Sequence, residues 1–210
     1  MRVSHQTTLM RCACAASVVL MLSAFGCSSN PAGPQQKATD KEYLALGWSD
    51  YEGGRYDSAV NNFTQAYNGS TTPAVRTEAL SGRGWSYAQK RNLQMAKGDF
   101  TFDLGIAGIM PDVRNDVRVG NAFVLYALND FAGSDSLASA ALADNPTYVF
   151  SHDPKVTTKR VRLLLAQSYF ASGQFALAAG QLDIIDAVHA PHSSDPASLL
   201  ATITAALNSL

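Results

Sequence analysis

The chain has 210 residues, of which 47% are hydrophobic and 16% charged, and its formal net charge is −1. This composition excludes a mostly disordered chain. The near-neutral charge also excludes the strongly basic footprint of a nucleic-acid-binding protein. We therefore expect a packed core within one or two domains and no nucleic-acid partner.

Residues 1–26 predict a signal peptide. The first eleven residues contain the two positive charges of Arg2 and Arg11, and an apolar run follows from Cys12 to Gly26. A charged segment followed by an apolar one is the order of the n-region and h-region of an export signal. The run is shorter than the roughly 20 apolar residues that a membrane-spanning helix needs. The pattern therefore favours export over a transmembrane anchor.

The segment from Leu22 to Ser29 resembles a bacterial lipoprotein lipobox, in which small residues precede a cysteine. The resemblance implies that Cys27 is acylated and that this lipid is the chain's only contact with a membrane. Because Ser28 and not Asp follows the cysteine, it further implies an outer-membrane lipoprotein facing the periplasm. The sequence departs from the family at Ala24, where Leu is usual, and at the bulky Phe25. Ordinary signal cleavage is therefore the alternative, and it would give a secreted or cell-surface protein.

Residues 27–38 predict the lipidated cysteine and a flexible tether, because the stretch is polar and contains Pro31 and Pro34. Cys12 and Cys14 would leave with the signal peptide, and acylation would occupy Cys27. The mature chain would then hold no free thiol, so we expect no disulfide and no cysteine chemistry.

Residues 39–210 predict a single repetitive domain. Four features recur at an offset of 37 residues: Gly47-Trp48 and Gly84-Trp85, Tyr56 and Leu93, Ala59 and Ala96, and Phe63 and Phe100. A fixed period of this length is the signature of stacked supersecondary units. The pattern of large and small residues resembles the tetratricopeptide repeat, a pair of antiparallel helices called A and B.

Repeats that resemble this family begin at residues 40, 77, 115 and 159, and their spacings of 37, 38 and 44 exceed the family's 34. We expect the excess to lie in the loops between repeats, with about ten extra residues before the fourth repeat. The third repeat matches least well. Because no segment shows the alternation of a strand, the predicted fold is all-α, an α-solenoid of about four helix-turn-helix repeats.

Three pairs of residues predict helix starts, since each places an N-cap residue before a proline: Thr72-Pro73, Asp153-Pro154 and Asp195-Pro196. The last pair opens a segment from Ala197 to Leu210 in which apolar residues recur at helical spacing. This segment is predicted to be a helix that caps the last repeat.

Few residues could carry chemistry. The sequence shows no glycine-rich phosphate loop followed by Lys and no nucleophile elbow. His189, His192 and Asp195 could hold a metal ion, but a polar loop with Asp195 as an N-cap explains them better. We expect no metal, no cofactor and no enzymatic activity.

Binding is the better prediction. In tetratricopeptide folds the A helices line a concave face that usually contacts ligands. Six aromatic residues occupy two sites of the predicted A helices: Trp48, Tyr51, Trp85, Phe123, Tyr126 and Phe170. If they form a groove, it would suit a protein or peptide partner in the cell envelope. The alternatives are that the aromatic rings are core, or that they bind a small molecule or a glycan.

Overall fold

The computed structural model of the protein describes residues 38–209. This part of the chain contains nine α-helices and one isolated antiparallel bridge, between Val149 and Thr157. The all-α prediction is confirmed. The signal peptide, Cys27 and nearly all of the tether lie outside the described residues. The helices are α1 (Asp40–Glu52), α2 (Tyr56–Gly69), α3 (Pro73–Gln89), α4 (Leu93–Leu104), α5 (Pro111–Ala127), α6 (Phe131–Asp144), α7 (Thr158–Ala171), α8 (Phe175–Ile185) and α9 (Pro196–Asn208).

Helices α1 to α8 form four helix pairs, which correspond to the four predicted repeats, including the weak third one. Each pair turns through a residue with positive φ: Gly54 (71°), Arg91 (59°), Asn129 (63°) and Gly173 (73°). Glycine adopts this conformation without steric cost, and Asn tolerates it. After each turn residue, a backbone N–H closes the end of the A helix, as Arg55 does by donating to the carbonyl of Asp50 at 2.8 Å.

Small residues let the helices approach closely, as the repeat pattern predicts. The small residues at one site of the four B helices are fully buried, namely Ala59, Ala96, Ser134 and Ala178. Glycines on the A helices make room for the large rings of the B helices. A methyl group added to Gly47 would lie 2.6 Å from the ring of Phe63, and one added to Gly84 would lie 2.6 Å from that of Phe100.

Two of the three predicted helix starts are confirmed. Helix α3 begins at Pro73, and α9 begins at Pro196 with the side chain of Asp195 accepting from the Ser198 N–H at 3.0 Å. The start at Asp153-Pro154 was wrong, because α7 begins only at Thr158. The Asp153 carboxylate instead accepts from the Lys155 N–H at 3.1 Å within a turn.

Helix α9 covers the apolar side of the last repeat, where Leu199 and Ile203 are buried against α7 and α8. Leu207, near the C-terminal end of α9, lines the same cleft as Arg160, at the start of α7. Helix α9 therefore runs antiparallel to α7 and closes the stack instead of continuing it. None of the helices within residues 38–209 is long and apolar enough to cross a membrane.

Candidate partner-binding groove

The connection between α6 and α7, residues 145–157, forms a short hairpin that we call the strap. The Phe150 N–H donates to the Val156 carbonyl at 2.9 Å, and the Thr158 N–H donates to the Tyr148 carbonyl at 2.7 Å. Within residues 38–209, no backbone hydrogen bond joins the strap to α1, α3 or α5. The strap therefore contacts these A helices through side chains, while its backbone bonds lie within the hairpin or join it to the adjoining helices α6 and α7.

The strap lies across aromatic side chains that the A helices present. Its Phe150 ring is fully buried and stacks on Trp85, with ring centroids 4.4 Å apart and an interplanar angle of 18°. The same ring meets Trp48 and Tyr51 edge-on at 6.0 and 6.1 Å. Trp48, Tyr51 and Trp85 are consequently buried, with 7%, 4% and 4% of their surface exposed. Burial also raises the pKa of the Tyr51 hydroxyl.

His152 contacts the first repeat from the turn of the strap. Its ring stacks on Trp48 at a centroid distance of 3.6 Å and an angle of 2°, and its Nδ1 lies 2.8 Å from Oε1 of Glu52. A polar contact also fixes the Trp48 ring, because its Nε1–H donates to Glu78 at 3.1 Å. The Trp48–Glu78 hydrogen bond joins α1 to α3 and involves no atom of the strap.

Tyr148 contacts the third repeat. Its hydroxyl donates to Oδ1 of Asp116 at 2.8 Å. Burial raises the pKa of Asp116 to about 7, and the nearby charges of Asp112 and Glu78 act in the same direction, although the bond from Tyr148 opposes the shift. Burial likewise raises the pKa of Tyr148. The strap therefore covers part of a carboxyl group as well as the aromatic rings.

An open cleft continues the concave face beside the strap. It has a volume of about 390 Å³, and Trp85, Phe123, Val156 and Leu207 contribute apolar surface to it. Arg160 and Lys155 also line the cleft. Among the described residues, the Arg160 guanidinium makes no hydrogen bond or ion pair, and the buried Trp85 Nε1–H has no acceptor. The cleft thus offers apolar surface next to a cation with unused hydrogen-bond donors.

The structure does not bring the six predicted aromatic residues into one open surface. Trp48, Tyr51 and Trp85 lie under the strap, and Phe123 lines the open cleft. Tyr126 packs on Phe131 at 5.6 Å and Phe170 on Phe175 at 5.3 Å, at the helix turns of the third and fourth repeats. The assignment of these six residues to partner binding stays a prediction.

Sequence reasoning missed four residues of this region, namely Tyr148, Phe150, His152 and Arg160. The excess of about ten residues before the fourth repeat marked the place, and the alternation Tyr148-Val149-Phe150 was visible in it. The run is too short to show which surface its rings would meet.

The histidine-rich loop before α9 pairs each histidine with a different aspartate. His189 lies 2.8 Å from Asp186, and His192 lies 2.8 Å from Asp183. Asp195 is the N-cap of α9, as predicted. No group of three or more potential metal ligands occurs in the described part of the chain.

Solved structures with the same architecture consist of helical repeats. MamA from MSR-1 superposes with a TM-score of 0.58 at 18% identity, covering 80% of this chain and 91% of its own. A kinesin light chain-like protein of Podosopora anserina with nearly identical TPR-like repeats superposes with a TM-score of 0.58 at 15% identity. The match covers 83% of this chain and 98% of that protein. A tetratricopeptide repeat protein of Parabacteroides merdae superposes with a TM-score of 0.58 at 14% identity, and the match covers 81% of this chain and 60% of that protein.

The fold is a tetratricopeptide-repeat solenoid. These identities show the fold alone. No protein-family profile matches the sequence, and no curated protein matches it.

Proposed function

We propose that this chain is a non-enzymatic scaffold that binds a protein partner through the concave face of its repeats. The observation that carries the proposal is the cleft beside the strap. Its lining combines the partly buried ring of Phe123 and the unpaired Arg160 guanidinium with the polar side chains of Gln89, Asp153 and Lys155. Aromatic residues and Arg are the side chains that most often anchor protein interfaces.

The contacts that the strap makes favour a polypeptide as the ligand. The concave face already holds a peptide segment, because the Tyr148 and Phe150 side chains of the strap fill it from one side. A partner in the open cleft would meet the same kinds of contact: the flat rings of Trp85 and Phe123 and a guanidinium donor at Arg160.

A small ligand is the second candidate. The cleft volume of about 390 Å³ falls within the roughly 300–1,000 Å³ of small-molecule sites. Stacking on Phe123 and Trp85 would suit an aromatic or sugar ring. This alternative predicts binding without any protein partner.

We place the scaffold in the bacterial cell envelope, anchored through Cys27 to the periplasmic face of the outer membrane. The support for this placement is the sequence of residues 1–38, with its predicted export signal, its cysteine and its predicted tether. A tether of about a dozen residues spans at most about 3.3–3.6 Å per residue, so a lipid at Cys27 would keep the cleft within tens of ångströms of the bilayer.

Capture from gently solubilised envelopes tests the scaffold proposal. The full chain serves as bait in three forms: wild type, Phe123→Ser and Phe102→Ser. Phe102 is the matched control, because it is a phenylalanine on the second helix of a repeat with 58% of its surface exposed. We expect a protein captured by wild type and Phe102→Ser to be lost from Phe123→Ser, with helical circular dichroism unchanged in all three.

Retention of that protein by Phe123→Ser would contradict the proposal. If no form captures a protein, small molecules and glycans become the ligands to screen. Quenching of the emission of Trp48 and Trp85, the only two tryptophans in the chain, would report their binding.

A further inference from the structure

The strap occupies the concave groove in the way that a bound ligand would. Its Tyr148 and Phe150 side chains, two residues apart, point into the groove, and Val149 between them keeps 53% of its surface exposed. Alternate residues of an extended segment point to opposite sides. A peptide that binds a helical groove in extended form uses the same alternation.

The repeats do not need the strap in order to be connected. The loop between α2 and α3 covers residues 70–72 and that between α4 and α5 covers residues 105–110, whereas the strap covers residues 145–157. The excess length is used to reach the first repeat, where His152 contacts Glu52, a hundred residues away in sequence.

Few polar bonds hold the strap in the groove. Its backbone hydrogen bonds lie within the hairpin or join it to the adjoining helices α6 and α7. The described hydrogen bonds from its side chains to α1, α3 and α5 are the Tyr148–Asp116 contact and the His152–Glu52 contact, both 2.8 Å long. The remaining contacts are apolar. Phe150 meets the rings of Trp48, Tyr51 and Trp85, and Tyr148 and Val156 pack on the same core, so that another segment with aromatic and apolar side chains could supply such contacts.

The groove keeps its own structure beneath the strap. Trp48 is held by Glu78 through its Nε1–H, and Tyr51 receives a bond from Gln89 at 3.4 Å. Both bonds join α1 to α3. The aromatic surface is therefore organised by the repeats, so that a segment replacing the strap would meet preformed positions.

We propose that the strap is an intramolecular ligand and that the partner is an extended segment with aromatic side chains two residues apart, which displaces the strap and binds Trp48, Tyr51 and Trp85. The inference rests on the proposed scaffold function and names the chemistry of its partner. The strap, being tethered, competes at high effective concentration. Binding is therefore weak until the strap is loosened.

A synthetic peptide of residues 146–153 tests this inference. It is added to the full chain as wild type, Phe150→Ala and Val149→Ala, and the emission of the two tryptophans is followed. Phe150→Ala removes the competing ring, whereas Val149→Ala changes the outer side of the same hairpin. We expect the peptide to bind Phe150→Ala roughly tenfold or more tightly than the other two forms.

A control peptide, with serine in place of the tyrosine, phenylalanine and histidine, should bind none of the three forms of the chain. Failure of the first peptide to bind a folded Phe150→Ala would overturn the inference. The inference would also be overturned if the wild-type chain formed a dimer and the Phe150→Ala variant were a monomer. The ligand of the groove would then be a second copy of this chain.

Amide hydrogen exchange of the wild-type chain tests the same inference without a variant. The N–H groups of Phe150 and Thr158 are bonded within the strap hairpin. We expect both to exchange at least about tenfold faster than amides in the middle of α3 and α5, because the strap opens without global unfolding. Equal rates would mean that the strap is part of the core, and would overturn the inference. The capture experiment with Phe123→Ser can succeed or fail independently of these results.

Discussion

Asp103 places a carboxyl group inside the second repeat, at a site where the repeat family usually has Ala. The side chain is fully buried, and neither carboxylate oxygen has a hydrogen-bond partner among the described residues. Burial raises its pKa to about 8, and the charge of Asp99 adds to the shift. Asp99 itself is paired with Arg83 through two bonds of 2.7 Å, so that this cation is already engaged.

The raised pKa of Asp103 predicts how stability depends on pH. Since the folded chain keeps this proton up to about pH 8 and the unfolded chain loses it near 3.8, the free energy of unfolding falls as the pH rises through that window. Asp103→Asn removes the titration. We expect the variant's unfolding free energy to exceed that of wild type by roughly 1–3 kcal/mol near neutral pH, and the difference to vanish near pH 4.

Urea denaturation at several pH values measures this difference. Asp57→Asn is the control, because Asp57 is an exposed carboxyl in the first turn of α2. Its loss should give no stabilisation that grows with pH. An Asp103→Asn variant with the same pH profile as wild type would show that this carboxyl is ionised in the folded protein.

At the scale of the helices, the repeat pattern predicts most of the structure because its determinants are local. A glycine or alanine opposite a phenylalanine fixes how closely two helices pack, and a turn residue fixes where the first one ends. The turns at Gly54 and Gly173 follow the family. Arg91 and Asn129 adopt the same conformation without being glycine, because the closing hydrogen bonds and the packing of both helices hold them there.

The strap could not be predicted in the same way. Its Asp153-Pro154 pair has the local pattern of a helix start, but Asp153 is used in the hairpin turn and Thr157 caps α7 instead, accepting from the Arg160 N–H at 3.4 Å. The position of Phe150 depends on rings from two distant helices. Contacts of that range leave no period in the sequence, so the burial of Trp48 and Trp85 could not be inferred from their helical spacing.

Helix packing predicts opposite effects for two glycine substitutions. A methyl group at Gly84 would lie 2.6 Å from the buried Phe100 ring, whereas one at Gly98 meets no atom within 4 Å. We expect Gly84→Ala to lower the unfolding free energy by about 1–3 kcal/mol through overpacking. Gly98→Ala should raise it by about 0.5–1 kcal/mol through helix propensity.

Thermal melts of the two variants and wild type, followed by circular dichroism, provide the comparison. Because both changes are Gly→Ala within helices, propensity alone would shift both melting temperatures upward. A rise for Gly84→Ala would therefore contradict the close approach of α3 and α4.

At the scale of the whole molecule, the proposal joins a repeat scaffold to a lipid anchor. If Cys27 is acylated, cells supplied with radiolabelled palmitate should incorporate label into the wild-type chain and not into Cys27→Ala. The variant should also move from the membrane fraction to the soluble fraction. Label in both chains, or in neither, would contradict acylation at Cys27 and favour ordinary signal cleavage.

The central claim is that the partner binds the concave face beside the strap, and site-specific photo-crosslinking tests it most directly. A photoreactive phenylalanine analogue is placed at Phe123 in one chain and at Phe102 in another, and intact cells are irradiated. The account predicts a discrete protein adduct from position 123 that position 102 does not give. An adduct from position 102 alone would contradict the account, since the partner would then bind the outer helices.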